Sequence, residues 1–166
     1  MANRLTENDV KKIEEEIRYR TLELRPKLIA AVKEARAQGD LSENYEYYAA
    51  KREKNQNEGR IKYLDRMLKF AEVIDDSSDA DEVGMNNTVE IEFEDDGSVE
   101  KFKLVTSIRS ESLQGYISIE SPIGRALLGK KCGDRCYVSV NEKNGYYVKI
   151  LSIDNTDDSE DKIRSF

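Results

Sequence analysis

The chain has 166 residues, 38% of them hydrophobic and 37% charged, with a formal net charge of −7. This length allows one large domain or two small ones, each with a modest core. No apolar run approaches the ~18 residues needed to cross a bilayer, and the first residues lack the basic-then-apolar layout of a signal peptide. A soluble, cytoplasmic protein with no membrane partner is expected.

Composition also restricts the chemistry. The sequence contains no histidine, which removes imidazole bases and Ser-His or Cys-His nucleophile pairs. Its 2 cysteines are Cys132 and Cys136; two thiols do not fill the four-ligand shell of a structural zinc, and they read as reduced cysteines near a strand. Any chemistry falls to carboxylates, lysine, tyrosine or a partner's groups. Charge is uneven, +3 over residues 1–70 and −10 over residues 71–166. Overall acidity argues against a free-standing, non-specific DNA binder, which needs a basic footprint, but leaves room for a local basic face on the first half.

Thr6 followed by Glu7, Asn8 and Asp9 makes an acidic helix start, favourable at the positive end of the dipole. Val10, Ile13, Ile17, Leu24, Leu28, Ala31 and Ala35 then recur at helical spacing and predict one helix to about residue 38. Pro26, without an N–H, should kink it one turn upstream near Leu22. Gly39 stands where a left-handed residue would end it. A second pattern runs from Leu41 through Ala49, Gln56, Gly59, Tyr63, Met67 and Phe70 to Ile74. Two such helices would form an antiparallel rod on the order of 45–50 Å long.

Between them lies Gly39-Asp40-Leu41-Ser42-Glu43-Asn44-Tyr45-Glu46-Tyr47, with acids at Asp40, Glu43 and Glu46. Asp40 with Glu43 three residues on matches a capping box, worth about 1 kcal/mol. Repulsion between two exposed carboxylates ~6 Å apart is only about 0.7 kcal/mol. The same pair, projecting from the first turn of a helix, is also half of a Mg²⁺ site, since that ion takes one or two carboxylates and keeps waters or phosphates. Both readings stand on spacing alone. Behind the acids, Lys51, Arg52 and Lys54, with Arg36 on the first helix, form either a solvated face or a contact for a nucleic-acid backbone.

Residues 76–84 are acidic and turn-rich and read as a linker between a coiled coil at 1–75, with its tip at 39–47, and a globular domain at 85–155. Strands are predicted at 88–94, 100–108, 115–120, 135–140 and 146–153, with Asn144-Gly145 as a hairpin signal. Ser121-Pro122 reads as the start of a short helix ending at Gly129. Residues 156–166 read as a frayed acidic tail.

The run from Gly39 to Lys51, together with Asn57-Glu58-Gly59-Arg60-Ile61, resembles the tip and second helix of Gre-type bacterial transcription elongation factors. Leu24-Arg25-Pro26 resembles their first helix, and the run from Ile117 to Lys130 is similar to their C-terminal motif. The resemblance covers about residues 5–155. It implies an N-terminal all-α antiparallel coiled-coil hairpin and a C-terminal α+β domain of FKBP-like fold. It further implies a protein that binds bacterial RNA polymerase as a monomer, inserting the hairpin into the secondary channel. Not itself an enzyme, such a protein stimulates the polymerase to cleave the 3′ end of backtracked RNA. Carried over by position, Asp40 and Glu43 are the catalytic acids, which share a Mg²⁺ with the polymerase. Arg36, Lys51 and Arg52 are the basic patch facing the RNA, and Ser121, Pro122 and Ile123 the polymerase-docking surface. Ser42 and Tyr48 depart from the basic residue and the histidine that many members carry. The alternative is an inhibitor of the same fold that fills the channel without stimulating cleavage. A prolyl isomerase or chaperone is a third reading, but its pocket needs aromatic lining and the second half lacks tryptophan.

Overall fold

The computed structural model describes residues 3–38 and 44–165. The chain divides into two compact units, one built mainly from Asp9–Glu72, the other from Arg4–Asn8 with Val73–Ser165.

The first unit is a helical hairpin. Helices α1 (Glu7–Tyr19) and α2 (Arg25–Ala37) are joined by a π-helical turn at Arg20–Leu24, and α3 (Tyr45–Lys69) returns beside them. Contacts pair Arg36 with Tyr47, Arg25 with Glu58 and Glu16 with Arg60. One number falls as the other rises, so the helices run antiparallel. Ile13, Val32, Ala35, Ile61 and Leu64 are buried; Ile13 and Ala35 belong to the stripe expected on the first helix, whereas Ala49, Gln56, Gly59 and Phe70 of the pattern expected on the second are exposed.

Pro26 acts where the sequence places it, though not by breaking the helix. Its ring crowds the carbonyl four residues back and offers it no N–H. The chain responds by widening: the Arg25 N–H reaches back five residues to the Arg20 carbonyl, the bond pattern of a π-turn. The second helix is shorter than its apolar pattern. It stops at Lys69, and Ala71–Val73 (β2) forms a two-stranded ladder with Asn3–Leu5 (β1). Strands of three residues are too short for periodicity to reveal.

The second unit carries a five-stranded sheet of order β5-β4-β3-β7-β6. Its strands are β3 (Thr88–Phe93), β4 (Val99–Val105), β5 (Tyr116–Ser118), β6 (Arg135–Ser139) and β7 (Gly145–Asp154). All neighbours are antiparallel except β4 and β5, which run parallel. Alternate residues Val89 and Ile91, Cys136 and Val138, Val148 and Ile150 point into one core with Leu104 and Leu127. The short helix α4 (Pro122–Leu127) packs on β5 and β6. Residues 75–82 contain neither helix nor regular strand, and Val83, at the end of the expected linker, is 1% exposed and part of the core.

The C-terminal segment departs from expectation. Read as a frayed tail, residues 156–165 instead lie against the second unit, with Asp158 and Asp161 buried and the Arg164 N–H bonded to the Ile108 carbonyl at 2.8 Å. Acidic composition suggests solvation, but here Asp161 meets the buried Lys103 and Arg109 and Asp158 the Asn8 amide.

Candidate functional site

Asp40 and Glu43, the acids of greatest interest from sequence, lie outside the described residues together with the rest of 39–43. Their flanks are well defined. The N-cap of α3 is Asn44, whose side-chain oxygen accepts the Tyr47 N–H at 3.0 Å. Its Nδ2 donates to the Ala35 carbonyl at 2.6 Å. One side chain thus satisfies an orphan donor at the start of α3 and a carbonyl in the last turn of α2. The capping box read at Asp40 and Glu43 lies outside the described residues.

Tyr47 anchors this end of the hairpin. Its ring is buried against Val32 and Ala35, its hydroxyl accepts from Arg36 Nη2 at 3.3 Å, and the Arg36 guanidinium lies 5.4 Å over the ring. The hydrogen bond from Arg36, reinforced against burial by the charges of Lys51, Arg36 and Lys54, holds the phenol below its usual pKa. Arg36 and Lys51 therefore converge on one ring. Lys51 and Arg52 in turn line a shallow groove of about 570 Å³ along α3, together with Tyr48, Asn55, Gln56 and Gly59. Their spacing of three, four, seven and eight is a single helical stripe. At Gly59 an added Cβ would meet nothing within 4 Å, so the stripe is open to a close approach.

A polar ladder further down the hairpin escapes sequence periodicity. Arg25 pairs with Glu58 through two bonds of 2.7 and 3.0 Å. Arg60 pairs with Glu16 through two of 2.9 and 3.3 Å. Fork-to-fork geometry of this kind fixes orientation as well as distance.

In the second unit, Ser121 caps α4, its Oγ accepting the Gly124 N–H at 3.1 Å, with Pro122 at the first helical position. Pro122 is exposed, while Ser121 and Ile123 are half-buried, Ile123 against the core. Gly124 fits so closely that a Cβ would fall 2.1 Å from the Ser118 carbonyl oxygen.

Among the described residues no group of three or more His, Cys, Asp or Glu is placed to hold a metal, and no helix is long and apolar enough to cross a membrane. Cys132 and Cys136 are free thiols, the first exposed, the second buried and pushed up in pKa by that burial.

Two family models match in chain order. "Transcription elongation factor, N-terminal" covers residues 3–73, the hairpin. "Transcription elongation factor, GreA/GreB, C-term" covers residues 77–155, the sheet domain. The chain belongs to the GreA/GreB family of transcription elongation factors. It is 43% identical over 131 residues to transcription elongation factor GreA of Allorhizobium ampelinum, covering 78% of this chain and 83% of that one. To GreA of Agrobacterium fabrum it is 42% identical over 142 residues, 85% and 89% of the two chains. A crystal structure of the GreA factor homolog 1 protein of Thermus thermophilus aligns at 24% identity with a TM-score of 0.44, over 92% and 99% of the two chains. Of this GreA/GreB chain, residues 156–166 lie beyond both family models.

Proposed function

We propose that this chain binds bacterial RNA polymerase, inserts its hairpin into the secondary channel, and stimulates Mg²⁺-dependent cleavage of the 3′ end of backtracked RNA. The supporting observation is the family's helical hairpin with Asp40 and Glu43 in the connection between α2 and α3, and Arg36, Lys51 and Arg52 on the adjoining turns.

The donor set suits the ion. Asp40 and Glu43 are hard oxygen ligands, and Mg²⁺ needs only one or two carboxylates when phosphates and waters complete its octahedron. These two acids would hold it jointly with ligands of the polymerase. A bound ion of this kind activates water and stabilises the charge developing on an attacked phosphodiester. Arg36, Lys51 and Arg52 would hold RNA phosphates and so keep the extruded strand beside the acids. The start of α4 at Ser121, Pro122 and Ile123, with Pro122 exposed, would dock on the polymerase. With half a metal site, the chain by itself is inert towards RNA, and the nuclease is the polymerase.

The test is a purified backtracked elongation complex. Asp40→Asn should abolish stimulated cleavage while competing for polymerase as well as the wild-type chain. Undiminished cleavage by that variant would refute the mechanism, and slowed nucleotide addition without cleavage by the wild-type chain would identify an inhibitor.

A further inference from the structure

The C-terminal segment is attached in an unusual way. Within residues 156–165 only Asp158 and Asp161 are buried, and no helix or strand forms. Of its side chains only Ile163 is apolar, and it is half-buried. The attachment is ionic: Asp161 accepts from Lys103 Nζ at 2.7 Å through one carboxylate oxygen and from Arg109 Nη1 at 2.7 Å through the other. The side chains of Asp161 and Arg109 are 0% exposed, and that of Lys103 9%.

Both cations also have partners outside the segment. Lys103 lies on β4, its ammonium 5.2 Å over the Tyr116 ring. Arg109 ends a 3₁₀ turn at Ser107–Arg109, where it donates from Nε to Thr106 Oγ1 at 3.2 Å and from Nη1 to Asn86 Oδ1 at 2.8 Å. The segment adds a second acid contact, Asn8 Nδ2 donating to both oxygens of Asp158 at 3.2 Å. The Lys103 ammonium also donates to the Asp157 carbonyl, and the Thr156 hydroxyl donates to the Asn86 carbonyl and lies 2.8 Å from Thr88 Oγ1. The cations belong to the part of the chain that the C-terminal family model covers, and the segment that neutralises them lies outside it. Receptor and occupant are thus separable pieces of sequence.

We propose that Lys103 and Arg109 form a carboxylate-binding socket for an extended, aspartate-bearing peptide segment, and that residues 156–165 are its resident ligand, held in cis and exchangeable in trans. Charge-assisted bonds, rather than apolar burial, supply the recognition. The carboxylate geometry is the specific part, since two donors on different elements must each find one oxygen.

The experiment uses the full chain and a labelled synthetic peptide of residues 156–166. An Asp161→Asn chain, its own occupant weakened, should bind the peptide about tenfold more tightly than the wild-type chain, and should bind an Asp161→Asn peptide about tenfold more weakly than the wild-type peptide, the loss expected when a charged hydrogen bond goes. Equal binding of the two peptides, or no binding to a folded Asp161→Asn chain, would overturn the proposal. Should that chain not fold, a protease site inserted between Asn155 and Thr156 of the wild type, cut after folding, answers the same question. The freed segment should then exchange with excess labelled peptide, and no uptake of label overturns the proposal.

Discussion

Asn57 and Arg20 exchange hydrogen bonds across the helical hairpin. Asn57 Nδ2 donates to the Arg20 carbonyl at 3.2 Å, and Arg20 Nη1 donates to Asn57 Oδ1 at 3.0 Å. The same carbonyl takes the Arg25 N–H across the π-turn. The helix irregularity that Pro26 imposes is thereby tied to one position of α3. A buried asparagine in a helix pair gives up stability for register, and in a hairpin the register fixes how far the connecting tip extends.

Asn57→Ala should lower the stability of the hairpin by about 1–2 kcal/mol, the cost of leaving buried partners unsatisfied. Asn57→Leu should recover that loss while allowing the helices to slide. Urea unfolding followed by helical circular dichroism measures the first effect. Distances between spin labels on α2 and α3 measure the second, and should broaden in Asn57→Leu alone.

The two bidentate pairs of the hairpin should behave differently. The Arg60 side chain is 7% exposed and Glu16 26%, so Glu16→Gln takes an opposite charge from a largely buried cation and should cost roughly 2 kcal/mol, somewhat below the value for a fully buried pair. Arg25 and Glu58 are each 33% exposed. Water and salt screen that pair, and Glu58→Gln should barely move the unfolding midpoint. A Glu16→Gln effect no larger than that of Glu58→Gln would contradict this ranking.

Asp161 gives the second unit an acid-sensitive fastening. Burial raises its pKa, but the hydrogen bonds from Lys103 and Arg109 outweigh burial and hold it below the usual carboxylate value. A depressed native pKa contributes stability that is present above the unfolded value of about 3.9 and disappears as pH falls through the native one. Asp161→Asn should therefore destabilise the second unit by about 1.5 kcal/mol at neutral pH, the loss expected for a charged hydrogen bond, and the gap to wild type should begin to narrow near pH ~4 and close as pH falls through the lowered native value. Amide exchange at residues 100–110 between pH 3 and 7 is the readout.

Two glycines make an opposed pair. At Gly124 a Cβ would collide with backbone, the Ser118 oxygen at 2.1 Å and the Ile119 Cα at 2.9 Å, so Gly124→Ala should destabilise by about 1–3 kcal/mol and displace Ser121 and Pro122. Gly59 sits inside α3 with nothing within 4 Å of a Cβ, and Gly59→Ala should stabilise the hairpin by about 1 kcal/mol. Gly59→Trp should leave the free protein folded yet weaken polymerase binding, because the open side of α3 is where the channel wall would approach. Unchanged binding would remove that face from the interface.

Much of this architecture was legible in the chain. The hairpin followed from the spacing of Ile13, Ala35 and their neighbours, and the sheet from alternation such as Val89 and Ile91, because both signals are local. What escaped depends on partners distant in sequence. Asp161 looks solvated until Arg109, 52 residues earlier, is found beside it. Asn57 looks like a surface amide until Arg20 faces it. Asn44, which caps α3, also satisfies Ala35 on the other helix, a benefit that no reading of α3 alone reveals. Asp40 and Glu43 lie outside the described residues, and the role that resemblance gives them rests on the cleavage assay.

The strand order also governs when each unit can form. β3 is the middle strand, and one of its edges is completed only by β7, the last strand to leave the ribosome. The hairpin closes through neighbours in sequence and can fold while synthesis continues, as N-terminal units commonly do. Until β7 is made, the edge of β3 away from β4 stays uncovered, whereas β4 is already flanked by β3 and β5. Residues 88–93 are therefore the segment most exposed to mispairing on the nascent chain. A chaperone acting on this protein would find its substrate there rather than on the rod.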